Sequence, residues 1–173
     1  MERIDMQQIM QEYGDYLVRL SYVYVKGWSE AEEIVQDVFV KFFMTSKQFE
    51  GKASLKTYLA KMTINKSCDY LRSVKGRMHI LRTKWKVPTV DEQSPESRMI
   101  ALFERNQVAA AVWQLPVKYR EVIVLYYYYE YTSVVIGTLL NIPENTVKTR
   151  LKRAKEKLKI TLQPIDGEVS FDE

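Results

Sequence analysis

Between Val87 and Ser97 the chain reads VPTVDEQSPES, a polar, aperiodic run between two stretches of helical hydrophobic period. That break constrains the fold more than any other feature. It reads as a linker and leaves a short helical segment on either side, each able to bury only a small core. A length of 173 residues suits one or two small domains, not a large enzyme built on a barrel. Strand-like alternation is scarce, and 6 Gly with 5 Pro are too few for a turn-rich β-sandwich or for disorder. Ser94-Pro95-Glu96 closes the linker as a helix start, with Ser at the N-cap, Pro at the first helical position and an acid in the first turn. The expected fold is all-α: two small helical domains joined by a basic flexible linker, the second containing a helix-turn-helix. The expected boundaries are 1–76, a linker over 77–95, a second domain over 96–163, and an acidic tail over 164–173.

The composition removes several kinds of chemistry. There is one Cys, Cys68, and one His, His79. A Cys/His zinc cluster and a disulfide framework are excluded, and a Ser-His triad has no spare His. No phosphate-cradling Gly loop is present, so neither a metal, a cofactor nor a catalytic role is expected. The start, MERIDMQQIMQEYGDYL, is charged within five residues and has no apolar signal core. No run approaches ~18 apolar residues, so no membrane insertion is expected and a cytoplasmic protein is.

The net charge of +4 conceals blocks. Residues 1–40 carry net −5, 41–87 net +10, 88–130 net −2, 131–163 net +5, and the tail from Pro164 net −4. Two basic blocks set apart by acidic ones suit two separate contacts with a polyanion. Lys-rich faces that merely keep a helical protein soluble would give the same pattern.

On a helix over Ala31–Met44, at about 100° per residue, Ile34, Val35, Val38, Phe39, Phe42 and Phe43 share one arc. Glu33, Gln36, Asp37, Val40 and Met44 fall on the other side. Glu33 and Asp37 are spaced like paired metal or acid/base carboxylates, but that chemistry needs further inward acids and a His from neighbouring helices. The acidic, partly apolar outer face is either solvated surface or a dock for a basic partner helix. On the helix near 55–73, Leu59, Ala60, Thr63, Ile64, Ser67, Tyr70 and Leu71 form the inward side. Tyr58, Lys61, Met62, Asn65, Asp69 and Arg72 lie opposite. Tyr58, Asn65 and Arg72 repeat at seven and offer a stacking plane, a base-edge reader and a phosphate partner. The preceding loop, Phe49-Glu50-Gly51-Lys52-Ala53-Ser54, is small, flexible and cationic, and such a loop can close around an extruded base. An ordinary amphipathic helix with a polar face fits the same residues.

The sharpest local signal lies at 131–160. Thr132 or Ser133 can cap a short apolar helix, Val134–Leu140. Asn141 tolerates a left-handed turn, Pro143 presets the next helix, and Glu144 suits its positive end. On the second helix Val147, Leu151, Ala154 and Leu158 face inward. Lys148, Thr149, Lys152 and Arg153 face outward, flanked by Arg150, Lys155 and Lys157. A Lys-Thr-Lys-Arg face suits a major groove, with central side chains at base edges and flanking cations at phosphates. A basic surface helix at the end of a bundle is the plainer alternative. Upstream, Leu115-Pro116 separates two helices, and Lys118–Tyr129 supplies an apolar helix beneath the motif. Its four successive Tyr cannot all face inward. Of the adjacent Val134 and Val135, one is expected at the surface.

Taken in order, these segments resemble the extracytoplasmic-function sigma factors of bacterial RNA polymerase, over nearly the whole chain. Ala31-Glu32-Glu33-Ile34-Val35-Gln36-Asp37-Val38-Phe39 is similar to that family's clamp-binding helix. Phe49-Glu50-Gly51, Thr57-Tyr58-Leu59, Asn65 and Asp69-Tyr70-Leu71-Arg72 are similar to its minus-ten reader. Leu115-Pro116, Tyr119-Arg120-Glu121-Val122, Ile142–Leu151 and Arg153-Ala154 are similar to its minus-thirty-five reader. The resemblance implies that Glu33, Gln36, Asp37 and Val40 dock on polymerase core. The partners would be the clamp helices of β′ and the flap of β. It implies that Gly51, Lys52, Ala53, Ser54, Tyr58, Lys61, Asn65 and Arg72 hold the melted minus-ten strand. Lys148, Thr149, Lys152 and Arg153 would read promoter duplex, with Arg150, Lys155 and Lys157 on phosphates. The basic connector from Gly76 to Lys86 would thread toward the catalytic cleft. An inhibiting anti-sigma factor, often membrane-bound in this family, is implied as a further partner.

The sequence departs from the family pattern in places. Tyr58 stands where Trp is usual, Val134 and Val135 where two acids are usual, and Asn141 and Asn145 where Gly is common. A plain helix-turn-helix repressor would explain 131–160 but leave the Tyr58/Asn65/Arg72 stripe and the acidic face unused. A nuclease using Glu32, Glu33 and Asp37 would lack a third ligand cluster.

Overall fold

The computed structural model describes residues 5–46, 49, 51–73, 77–78, 81 and 106–162. The Ser94-Pro95-Glu96 helix start, most of the linker, His79, Glu50 and the acidic tail lie outside the described residues. Among the described residues the regular elements are all helical. The first four groups are α1 (Met6–Val25), α2 (Trp28–Thr45), α3 (Leu55–Arg72) and α4 (Gln107–Gln114). They are followed by α5 (Val117–Ile123), a π-helical turn (Val124–Tyr128), α6 (Ser133–Leu140) and α7 (Glu144–Leu162). They form two compact units, one within residues 1–88 and the other within 89–173. Among the described residues no helix is long and apolar enough to cross a membrane.

In the first unit α1, α2 and α3 pack on one another. Asp5 caps α1 by accepting from the backbone N–H groups of Gln7 and Gln8. Lys26, in the left-handed region at φ 57°, ends it, and α2 begins two residues on. The core joins Leu17 of α1, Val35, Val38, Phe39 and Phe42 of α2, and Leu59 of α3. A small polar seam lies between α1 and α3, where the buried Ser21 and Ser67 hydroxyls are 3.0 Å apart. Thr63 and Ser67 also donate back to the carbonyls of Leu59 and Thr63. Every hydroxyl of the seam is thus satisfied, as burial demands.

The inward face expected on α3 is buried at Leu59, Ala60, Thr63, Ile64 and Ser67, with Tyr70 and Leu71 half-covered. On α2 one residue differs from expectation. Phe43 is 66% exposed and joins Val40 and Met44 at the surface. The arc covered by α1 and α3 ends at Phe39 and Phe42, and Phe43 stands about 100° round from Phe42, beyond that edge.

In the second unit α7 packs against α4, α5 and α6. Its core gathers Leu115, Val122, Leu125, Ile136, Leu139, Val147, Leu151, Ala154 and Leu158. The break at Leu115-Pro116 is closed by Arg120, whose Nη1 donates to the carbonyls of Trp113 (3.0 Å) and Leu115 (2.9 Å). Its guanidinium also lies 5.3 Å from the Trp113 ring centroid. These carbonyls end α4, where no downstream helical N–H is available. The helix expected over Lys118–Tyr129 stops being α-helical at Ile123. Tyr129 N–H donates to the Val124 carbonyl, and Tyr131 N–H to that of Leu125. The wider turn keeps Leu125 buried while Tyr126, Tyr127 and Tyr128 face solvent.

Candidate nucleic-acid interface

The first unit presents the loop before α3 and the outer face of that helix. Gly51 sits at φ 68°, a conformation that favours glycine. Lys52, Ala53 and Ser54 are exposed beside it. Ser54 starts α3 as its N-cap, accepting from Thr57 N–H at 3.1 Å. Asn65 and Arg72 are exposed on the outer face, and Lys61 is half-buried. Arg72 has only a loose contact with Asp69, at 3.7 Å. Tyr58 does not stand out from the helix with them. It is half-buried, with its ring 5.0 Å from Phe49 and 6.1 Å from Phe42. The stripe therefore joins two projecting polar groups to one aromatic that is already packed in an aromatic cluster. Phe49 and Phe42 fix the Tyr58 ring, so whatever part of it meets solvent is held rigid.

On α2, Glu33, Gln36, Asp37 and Val40 are exposed along one side. Asp37 accepts from Lys66 Nζ of α3 at 2.9 Å. Both side chains are well hydrated, so the pair contributes at most ~1 kcal/mol and yields readily to another cation.

The second unit contains the helix-turn-helix. Thr132, not Ser133, caps α6, accepting from Val135 N–H. Asn141 takes the left-handed turn at φ 54°, ψ 43°, which its short polar side chain tolerates. Val134 is the exposed member of the valine pair. Gly137 explains how tightly the turn is drawn in, because a Cβ there would lie 2.8 Å from the Ile142 carbonyl oxygen.

On α7 the four inward residues are buried, and Lys148, Thr149, Lys152 and Arg153 are exposed together. Lys148 reaches back to Glu144 at 2.8 Å. Thr149 donates to the Asn145 carbonyl. Lys155 is half-buried, and exposed Lys157 holds its ammonium 5.7 Å from the Tyr119 ring centroid. Arg150 stands differently from expectation. Its Nη1 donates to Glu121 Oε1 at 2.9 Å, half-buried against α5. That carboxylate draws the guanidinium inward, away from the exposed row of Lys148, Thr149, Lys152 and Arg153. A concavity of about 300 Å³ opens beside it, lined by Lys118, Tyr119, Asn145, Thr146, Thr149, Arg150 and Arg153. Sequence reasoning named Lys118 only as a helix start and Glu121 only within a family motif, and gave neither a partner. The available signal was three charges, Lys118, Arg120 and Glu121, at the head of the apolar run Val122–Leu125.

This is a two-unit helical protein with a basic helix-turn-helix in its second unit, and it matches the sigma-70 family in both. Residues 9–77 match sigma-70 region 2 and residues 105–158 match sigma-70 region 4. The chain is 30% identical over 165 residues to the ECF RNA polymerase sigma factor SigW of Bacillus subtilis (strain 168), covering 91% of this chain and 88% of that one. It is 26% identical to SigX of the same organism, over 96% of this chain and 88% of that one. The chain belongs to the extracytoplasmic-function RNA polymerase sigma factors. Two solved structures share its fold. One is the sigma factor RpoE in complex with the anti-sigma factor NepR from Bartonella quintana (TM-score 0.68, 20% identity, 94% of this chain and 99% of that one). The other is CnrH in complex with the cytosolic domain of CnrY (TM-score 0.64, 21% identity, 91% and 86%).

Proposed function

We propose that this sigma factor directs polymerase core to its promoters through two DNA contacts, one on duplex and one on separated strands. The observation that carries the reading is the exposed Lys148/Thr149/Lys152/Arg153 face of α7 in the second unit of a sigma-family chain. Such a face enters a major groove, with central side chains at base edges and Lys155 and Lys157 toward phosphates. In the first unit, Gly51 through Ser54 with Lys61, Asn65 and Arg72 receive the melted minus-ten strand. Tyr58 offers the exposed part of its braced ring for stacking. Capturing unstacked bases lowers the free energy of the open state without any chemistry by this protein. Linking two modest contacts through one polymerase raises the effective concentration of each.

Glu33, Gln36, Asp37 and Val40 form the surface offered to the clamp helices of β′, and the flap of β is the other core partner. The division of labour is 1–76 for core docking and melting, 77–95 as connector, and 96–163 for the upstream element. The protein works in the cytoplasm, and an anti-sigma factor, membrane-bound or free, holds it in check. Run-off transcription with sigma-free core on a library of promoter sequences tests the reading. Start-specific RNA from a defined subset is expected, and none from any template would overturn it.

Asn65→Ala is expected to lose about 1–3 kcal/mol of open-complex stability while initial binding is spared. Permanganate footprinting beside a filter-binding assay separates the two steps, and equal losses would remove the base-capture role. Arg153→Ala is expected to relax preference at one upstream base pair by ~1–3 kcal/mol. If selection from a randomised upstream element gives an unchanged consensus and weaker overall binding, Arg153 is a phosphate contact.

A further inference from the structure

We propose that the Glu121–Arg150 ion pair sets the pose of α7, so that Arg150 governs promoter selectivity without contacting DNA. The inference rests on the reading of α7 as the groove-entering helix. The pair is short, at 2.9 Å, and shielded, with the Glu121 side chain 9% exposed and that of Arg150 26%. Exposed pairs hold little, but removing one member of a shielded pair strands the other charge away from water.

The anchor on the other side is firm. Arg120, next to Glu121 on α5, is 3% exposed and donates to the last carbonyls of α4. Successive residues point about 100° apart on a helix. Arg120 and Glu121 thus tie α5 to α4 in one direction and to α7 in the other. On α7, Arg150 sits inside the run that carries Lys148, Thr149, Lys152 and Arg153. These four can meet one groove together only at one rotation and one axial height of the helix. The apolar contacts of Val147, Leu151, Ala154 and Leu158 hold the helix down but are non-directional. A guanidinium–carboxylate bond is directional, and buried polar pairs are best attested as devices that fix register. The same geometry turns Arg150 into the wall of the concavity beside Thr149 and Arg153, rather than outward among the cations.

The test uses full-length protein assembled with core polymerase. It compares a promoter selected by the wild type with the same DNA carrying a scrambled upstream element, across a salt series. Glu121→Gln, Arg150→Met and the double variant are measured at a temperature where circular dichroism shows each to be folded. Each single change is expected to lower the selected-to-scrambled affinity ratio about fivefold or more. The double variant should fall no further than the worse single, and the slope of log affinity against log salt should stay at the wild-type value.

A phosphate-contacting Arg150 behaves differently. Arg150→Met would then reduce the slope by about 0.9 and weaken both DNAs alike. Glu121→Gln, which removes an anion near DNA, would then tighten binding. Either result overturns the proposal, as does a changed melting temperature with the affinity ratio intact. If Arg150→Met fails to fold, Glu121→Gln decides by its sign: lower selectivity supports the proposal, and equal or higher selectivity defeats it. A wild-type protein that selects no promoter would instead defeat the functional reading on which the inference rests.

Discussion

Arg120→Ala is expected to lower the stability of the second unit by about 3–5 kcal/mol, enough to unfold it at temperatures where the wild type is folded. The size follows from where the guanidinium sits. It is 3% exposed, and one nitrogen bridges the carbonyls of Trp113 and Leu115. Pro116 follows directly and has no N–H to offer them. Alanine removes those charge-assisted bonds, empties the space beside the Trp113 ring, and leaves Glu121 next to a loosened helix start. Arg120→Lys should recover only part of the loss, because an ammonium keeps the charge but not the planar fork that lies against the indole. The two units need not melt together, so a single transition cannot be assumed. Fluorescence of Trp113, with Trp28 replaced by Phe and Trp85 by Phe, would follow the second unit alone. A loss below about 1 kcal/mol would mean that water replaces the guanidinium at little cost.

Arg120 also marks the limit of what pattern alone conveys. Apolar period on α2, α3 and α7 specified the inward residues of those three helices, because covering a helix on one side forces that period into the sequence. The helix-turn-helix was legible for a similar reason. Thr132, Asn141 and Pro143 each suit a distinct backbone conformation, and few other arrangements use all three in that order. Charge placement was legible as a face but not as a set of partners. Lys152 and Arg150 are equally cationic in sequence. Only the approach of Glu121 from another helix separates the free cation from the paired one.

Tyr58 follows the same logic. Its spacing with Asn65 and Arg72 places it on the outer stripe, while Phe49, in a loop six residues before α3, lies against it. The π-helical turn was not foreseeable from period, since its cause is local crowding. Four consecutive Tyr cannot share a buried arc, and one extra residue in the turn keeps Leu125 inside while releasing three of them. Exposed Phe43 reflects how far the neighbouring helices reach, which no single-helix argument contains. For Arg150, Tyr58 and Phe43 the missing information belonged to a second element; for the π-helical turn it lay in the crowding of the segment itself.

Gly137→Ala is expected to destabilise the second unit by about 1–3 kcal/mol, and Gly137→Val by more. The sign opposes the usual one. Within a helix, exchanging Gly for Ala ordinarily gains up to ~1 kcal/mol. Here the new Cβ would stand 2.8 Å from the Ile142 carbonyl oxygen and 3.6 Å from the Glu144 nitrogen. The first is closer than a Cβ can sit, and it is backbone, so no side-chain rotation relieves it; the second is an ordinary contact. The turn is also hydrogen-bonded at that point, with Asn141 and Ile142 N–H groups donating to the Gly137 carbonyl. To admit a methyl group, the segment 142–144 must move away from α6, and α7 begins there. The displacement therefore reaches Lys148 and Thr149 one turn later. Two measurements separate the consequences. Thermal unfolding should report the lost stability. Below the melting range, affinity for upstream duplex should fall while the strand-capturing surface proposed for the first unit keeps its activity on pre-melted promoters. A rise in melting temperature would mean that the turn yields at no cost, and that α6 and α7 are coupled less tightly than their spacing indicates.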